Sequence, residues 1–320
     1  MTDLRELERL EHVFWRAPSA HNTQPWVFRY GTDRVELRYD PDRALPTGDP
    51  TSRDLLLSLG ALVEAVLIVA SSVEIPIEFE PSVDLAAHAV GAFVHAGEQY
   101  RTPFTPDDLT RRRTSRLPYA PGRLDADDVA AARGEIPPET AIHELPTADL
   151  VELFRKADRH MYESPGVVGE LRVWLRLNPR DPRYELDGLS YDCLALSRFE
   201  AFAVGLLLRP RVYPLVRSSG LHKQFSSAAT ALLEREGSAL VLVGPADAPE
   251  QLVGHGRALH RVWLALTRRG LYTHPLSQII DCPATERELS ARLGVDDGLC
   301  PLSVFRVGRS EAPAESHRMR

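Results

Sequence analysis

The chain has 320 residues, 43% hydrophobic and 26% charged, with a net charge of −7 and a pI near 5.9. A chain of this length can bury roughly three quarters of its unfolded surface, enough for two domains or for one large unit made of two similar halves. The negative balance argues against a scaffold dominated by nucleic-acid phosphate contacts. Three cysteines without a CxxC pair argue against a disulfide framework or a zinc knuckle.

Taken in order, Leu4 to Arg16 has apolar residues at helical spacing (Leu4, Leu7, Leu10, Val13, Phe14), and Pro18 stops it. Trp26–Tyr30 and Val35–Tyr39, separated by Gly31-Thr32-Asp33, predict a β-hairpin. Leu55 to Val73 is the most apolar stretch, but Ser58, Gly60 and Glu64 interrupt it, so it reads as a buried helix and not a membrane span. Ile75 to Phe79 predicts an edge strand, where Pro76 is tolerated, and Ala89 to His95 another strand. Thr105-Pro106-Asp107-Asp108 opens a helix with Pro in the first turn and acids at its positive end. Further helices are expected near Asp125–Gly134, Asp149–Glu163 and Tyr191–Leu208, with a rigid irregular insert over Val173 to Leu189. Ala239–Val243 is continuous and apolar, as in a central strand. A helix from about Ala248 to Arg269 and a last strand at Leu302–Val307 complete the pass. Gly60-Ala61-Leu62-Val63 and Gly256-Arg257-Ala258-Leu259 form a weak internal echo, each opening a buried helix that leads toward a proline (Pro76, Pro275). The charged N-terminus, Met1 to Glu6, lacks an apolar signal core, so a cytoplasmic protein with no membrane or nucleic-acid partner is expected.

Three constellations carry chemistry. Pro18-Ser19-Ala20-His21-Asn22-Thr23-Gln24-Pro25-Trp26 is a loop dense in small hydrogen-bonding groups, suited to the edge of a polar heterocycle. A helix-stop loop satisfying its own backbone reads equally well from these residues alone. Arg111 to Arg116 gathers guanidiniums around Thr114 and Ser115; Arg forks match phosphate oxygens bidentately, although charge runs are more often solvated faces. Gly270 to Gln278 includes His274-Pro275-Leu276-Ser277-Gln278 ahead of the final strand. No Gly-x-Gly-x-x-Gly, P-loop, nucleophile elbow or His-Glu-x-x-His occurs, and His255 and His260 are five apart, wrong for metal ligands on one helix face.

The Pro18–Trp26 loop resembles the P-S-x-x-N-x-Q-P-W loop of nitroreductase-like flavoproteins. Arg112–Arg116 resembles that family's R-x-S-x-R run, with Thr114 in place of Ser. Gly270–Gln278 resembles the G-L-x-x-x-P-L-S-Q stretch of a fused, two-lobed branch found in actinobacteria, the Acg-like proteins. The resemblance implies an α+β, nitroreductase-like fold: two similar halves fused as a pseudo-dimer, each with antiparallel sheets flanked by helices. It divides the chain into residues 1–104, with the Ser/Asn loop, and 105–320, with the Arg run and a lid-like insert at about 164–190. It also implies one FMN between the halves. Ser19, His21, Asn22 and Gln24 would line ring and ribityl chain; Arg112, Thr114, Arg116 and Arg318 would hold the phosphate. Pro275, Leu276, Ser277 and Gln278 would lie at the flavin N5 edge. His274 is a weak candidate for a catalytic proton donor, and Arg320 a further phosphate contact; Arg309 departs from the family's tyrosine. The implied activity is hydride or electron transfer to or from a small organic substrate, with NAD(P)H as reductant, by a monomer or homodimer. A flavin-sequestering protein, a biosynthetic flavin oxidase or dehydrogenase, and a scaffold that has lost its flavin are the alternatives.

Overall fold

The structure, a computed structural model, describes residues 3–220 and 230–320. A 3₁₀ turn at Leu4–Leu10 leads into the short α1 (Glu11–Phe14), where one regular helix was expected. Strands β1 (Trp26–Tyr30), β2 (Arg34–Tyr39), β3 (Ile77–Asp84) and β4 (Ala89–His95) form an antiparallel sheet in the order β1-β2-β4-β3. Between β2 and β3 runs α2 (Arg53–Ser72). Its apolar residues surround the whole helix, so it must be enclosed on all sides. Leu59, Leu62, Val63 and Ile68 are fully buried, each contributing about 1.5–3 kcal/mol. It is long and apolar enough to cross a membrane, yet 89% of its most apolar window is enclosed by the protein, as in a core helix.

The chain continues through α3 (Pro106–Arg111), α4 (Ala126–Arg133), β5 (Ala141–Pro146), α5 (Val151–Glu163), α6 (Pro165–Trp174), the two-residue parallel pair β6 (Leu175–Arg176) and β7 (Leu189–Ser190), α7 (Arg198–Leu207) and α8 (Tyr213–Ser218). It closes with β8 (Ser238–Pro245), α9 (Pro249–Arg268), β9 (Tyr272–Pro275), α10 (Gln278–Asp281), α11 (Pro283–Leu293) and β10 (Leu299–Gly308). The second antiparallel sheet has the order β5-β8-β10-β9. Matched strand for strand, β1-β2-β4-β3 and β5-β8-β10-β9 are one topology: edge strand, inner strand, a 20-residue helix, far edge, inner strand. The expectation of two similar halves in an α+β fold therefore holds.

The two central helices meet at the glycines of the sequence echo. A Cβ on Gly60 would run into the Val253 carbonyl oxygen and the Gly256 backbone; one on Gly256 would run into the backbone of Leu57. Each glycine thus faces the residue three before the other, the reciprocal contact of a twofold axis. Gly270, at φ +74°, ends α9: its amide bonds Thr267 and that of Leu271 bonds Leu266, the left-handed stop for which glycine is favoured. Two expectations need correcting. The helix expected over Tyr191–Leu208 begins only at Arg198, where Ser197 and Glu200 form a capping box. The insert expected to be irregular over Val173 to Leu189 begins within the last two residues of α6, a helix N-capped by Ser164, and holds the short β6–β7 pair.

Candidate functional site

The Ser/Asn loop is held in an expensive conformation. His21, Asn22 and Gln24 have φ of 48°, 56° and 50°. Asn and His adopt this region more readily than other residues; Gln does not, and a non-Gly residue held there costs about 1–3 kcal/mol. Surrounding bonds hold the loop there. Ser19 Oγ accepts from the Gln24 amide at 2.9 Å, Ser58 Oγ from the Ala20 amide at 3.2 Å, and Arg43 donates to the Thr23 carbonyl at 2.7 Å. The side chains of Asn22 and Gln24 are already spoken for. Asn22 Nδ2 donates to the carbonyls of Gly188 and His317, both at 3.0 Å, and its Oδ1 accepts from Arg318 at 2.8 Å. Gln24 donates to Leu186 at 2.9 Å and accepts from the Met319 amide at 3.0 Å. These two residues clamp the 175–190 segment and the 313–320 tail onto the loop. The segment is itself pinned by Asp187, 1% exposed, which pairs with Arg176, Arg43 and Arg183.

The Arg run lies alongside β9: Thr114 forms a parallel bridge with Thr273, whose carbonyl accepts from the Ser115 amide at 3.1 Å. Its six arginine and hydroxyl positions do not act alike. Arg111 is exposed on Asp107, and Arg113 pairs with Glu315 at 2.9 Å, so both are solvated or structural. Arg112 is 3% exposed, and its Nε and Nη1 have no hydrogen-bond partner. Among the described residues no carboxylate pairs with it. Its ring neighbour is Trp263, at 6.0 Å. Burial and the nearby charge of Arg16 pull its pKa down to about 10. His260, fully buried beside it, is held down to about 3 by burial and then by Arg112. Arg318, reaching in from the tail, is lowered well below its ordinary value by burial and by the charges of Arg16 and Arg112. Three guanidiniums therefore crowd one recess in which Glu315, salt-bridged to Arg16 at 3.0 Å, is the paired acid.

Arg116 faces the other motifs. It donates to the Cys193 carbonyl at 3.0 Å. Burial and its charge together hold His21 down to about 4, and His274 well below its usual value. His274 Nδ1 accepts from Arg306 Nε at 3.0 Å, which leaves the proton on Nε2 of a neutral ring. Ser277 starts α10, and Gln278 donates to Asp158 at 3.2 Å. Leu276 differs from expectation: its amide donates to the Val304 carbonyl at 2.7 Å and its side chain is 1% exposed in a core cluster, so neither is free for a ligand. Arg320 pairs with Glu11 at 2.8 Å over the Trp15 ring, and Arg309 donates to the Arg269 carbonyl.

Sequence reasoning missed Arg16, His260 and Arg306. Arg306 is the most legible of them, an arginine set among Val304, Phe305 and Val307 in the last strand. It is 1% exposed, donates to the carbonyls of Ser115 and Leu117, and stacks 4.1 Å over Tyr119. It therefore fixes the backbone of the Arg run against β10.

Arg112 is thus the guanidinium of this recess without an acceptor, whereas Arg318 is taken up by the carbonyls of Trp15, Arg16 and Ala17, by Ser316 and by Asn22. The chain is similar in sequence to candidate nitroreductases of mycobacteria. One is the candidate NAD(P)H nitroreductase acg of Mycobacterium tuberculosis, 27% identical over 311 residues that cover 92% of this chain and 86% of that one. An uncharacterized protein of the same bacterium is 26% identical over 92% of this chain and 83% of its own. A second candidate NAD(P)H nitroreductase is 31% identical over 136 residues, 38% of each chain. No family model matches the chain. Among solved structures, a nitroreductase with bound FMN from Bacteroides fragilis has a TM-score of 0.38 and 14% identity, covering 66% of this chain and 91% of that one.

Proposed function

We propose that the chain is an FMN-dependent oxidoreductase that transfers hydride or electrons to or from a small organic molecule, with NAD(P)H as the reductant. The observation that carries this is Arg112: a buried guanidinium whose Nε and Nη1 are unpartnered, next to Arg16 and Arg318. A buried charge without a counter-ion costs several kcal/mol, and a phosphate with its acceptor oxygens removes that cost through bidentate bonds. Similarity over 92% of the chain to a protein named for NAD(P)H nitroreductase activity supports the same reading.

In this reading Arg112 and Arg116 hold the phosphate with the Thr114 hydroxyl beside Arg16, while Arg318, bonded to the carbonyls of Trp15, Arg16 and Ala17 and to Asn22, adds its charge to the recess. The isoalloxazine, when bound, supplies the two-electron redox chemistry. His21, Ser277 and the edge near Pro275 line the ring's side of the recess. Asn22 and Gln24 act through the chain they clamp, keeping residues 175–190 and 313–320 closed over the loop and excluding water. His274 holds a proton at Nε2, fixed in that tautomer by Arg306. Residues 1–104 and 105–320 are the two halves, and 164–190 is the cover.

The test is a titration of the purified protein with FMN, followed by anaerobic addition of NADH or NADPH. Expected are quenching of flavin fluorescence on binding and bleaching of the bound flavin by one of the two nucleotides. Arg112→Met should weaken FMN binding at least tenfold while leaving the apoprotein as stable or more stable, because a charge without a partner has been removed. A protein that stays colourless with FMN would overturn the reading, and so would a bound flavin that neither nucleotide bleaches. FMN affinity unchanged in Arg112→Met would overturn the phosphate assignment.

A further inference from the structure

Helix α7 presents a surface that the flavin chemistry does not use. Phe199, Phe202 and Leu206 are 79%, 66% and 39% exposed, and Leu215 on α8 is 69% exposed. At 100° per residue the first three fall within one narrow stripe of the helix. The helix is not a loose piece that has lost its core. Its opposite face is docked, with Ala201 1% exposed and Leu208 packed in a cluster with Val168, Tyr213 and Val216. Its start is fixed by the Ser197–Glu200 capping box. The stripe is therefore the outward face of an ordered helix, without a partner among the described residues.

The charge around the stripe is opposite to that of the whole molecule. From Arg198 to Arg217 there are four arginines, all exposed (Arg198, Arg209, Arg211, Arg217), against the single Glu200, in a chain whose net charge is −7. Glu200 is turned back on the Ser197 amide. A second copy of the chain fits this surface poorly. A twofold contact sets the patch against itself, so the arginines of one protomer would meet those of the other. The partner must be anionic, and it must accept separate, protruding phenylalanine and leucine side chains in place of offering one shaped groove. Those are the properties of an anionic bilayer, in which Phe and Leu enter the acyl boundary and arginines stay among the headgroups.

We propose that the α7–α8 face docks the protein reversibly on membranes carrying anionic phospholipid. The sequence reading expects no membrane partner because it finds no spanning segment, but a helix lying on the surface needs none. The attachment is weak and electrostatically assisted, so salt releases it. It also brings the bilayer next to the site's cover, since the chain that binds Arg116 through the Cys193 carbonyl runs directly into α7.

The experiment is co-sedimentation of the full-length protein with vesicles of phosphatidylcholine alone and of phosphatidylcholine mixed equally with phosphatidylglycerol. Expected is binding to the mixed vesicles only, released by high salt. Phe199→Ser with Phe202→Ser should weaken it at least tenfold, and Arg209→Glu with Arg211→Glu should abolish it. None of these exposed positions should alter thermal stability or flavin content. Three results would overturn the proposal: no binding to the anionic vesicles, equal binding by wild type and the phenylalanine double variant, or a wild-type dimer that dissociates in that variant while neither protein binds vesicles.

Discussion

At the scale of single residues, the site is organised by crowded buried cations, one of which, Arg112, lacks a partner, and their burial gives it a pH signature. His260 is fully buried, donates Nδ1–H to the Ala61 carbonyl at 2.6 Å and leaves Nε2 without a partner. Its folded pKa, about 3, lies below the ordinary histidine value of 6.5. The unfolded chain therefore takes up a proton first as pH falls. The stabilisation is complete above pH 6.5 and is lost as pH drops toward the folded value, by on the order of 3 kcal/mol at pH 4. Replacing His260 by Gln should flatten the fall in melting temperature between pH 6.5 and 4. An unchanged slope would show that other groups carry it. The arginines of the motif were legible in the sequence because spacing and type were conspicuous. That Arg112 lacks a partner while Arg113 has one was not, because Glu315 lies 202 residues away.

At the scale of elements, the α2–α9 crossing inverts an ordinary propensity rule. Gly→Ala inside a helix normally gains about 1 kcal/mol. At Gly60 and Gly256 the added methyl has no room beside the facing backbone, and overpacking of this kind costs about 1–3 kcal/mol or more. Gly60→Ala and Gly256→Ala should each lower the urea midpoint. The double variant should lose less than the sum, because the first substitution already parts the helices. A rise in midpoint in either single variant would refute the close crossing. The long apolar and amphipathic elements were readable from their period: α2, α9, β4 and the β1–β2 hairpin. Ala141–Pro146 was not, because His143 and Glu144 break the alternation at a sheet edge. Tyr272–Pro275 was hidden because four residues carry too little pattern to announce a strand.

At the scale of the whole molecule, a repeated topology carries two unlike ends. Counted from the paired glycines, Glu64 and His260 occupy matching positions on α2 and α9. Glu64, fully buried, pairs with Arg257 and Arg261, both at 3.1 Å, and accepts from Tyr100. His260 instead faces Arg112. The arginines beside Glu64 are thus neutralised, while Arg112 beside His260 has no carboxylate among the described residues. The clamps on the Ser/Asn loop also bear on the order of folding. The bond from Arg318 to the Trp15 carbonyl spans 303 residues, and that from Asn22 to His317 spans 295. Closing such a loop costs entropy that no local contact repays, so both sheets can form while the recess is still open. In refolding from urea with FMN present, far-UV circular dichroism should recover ahead of flavin quenching. Simultaneous recovery would mean that the clamp forms with the sheets. In the expected order, ligand competence is the final act of folding, and a protease meeting the chain early finds ordered sheets with an untied segment at residues 313–320.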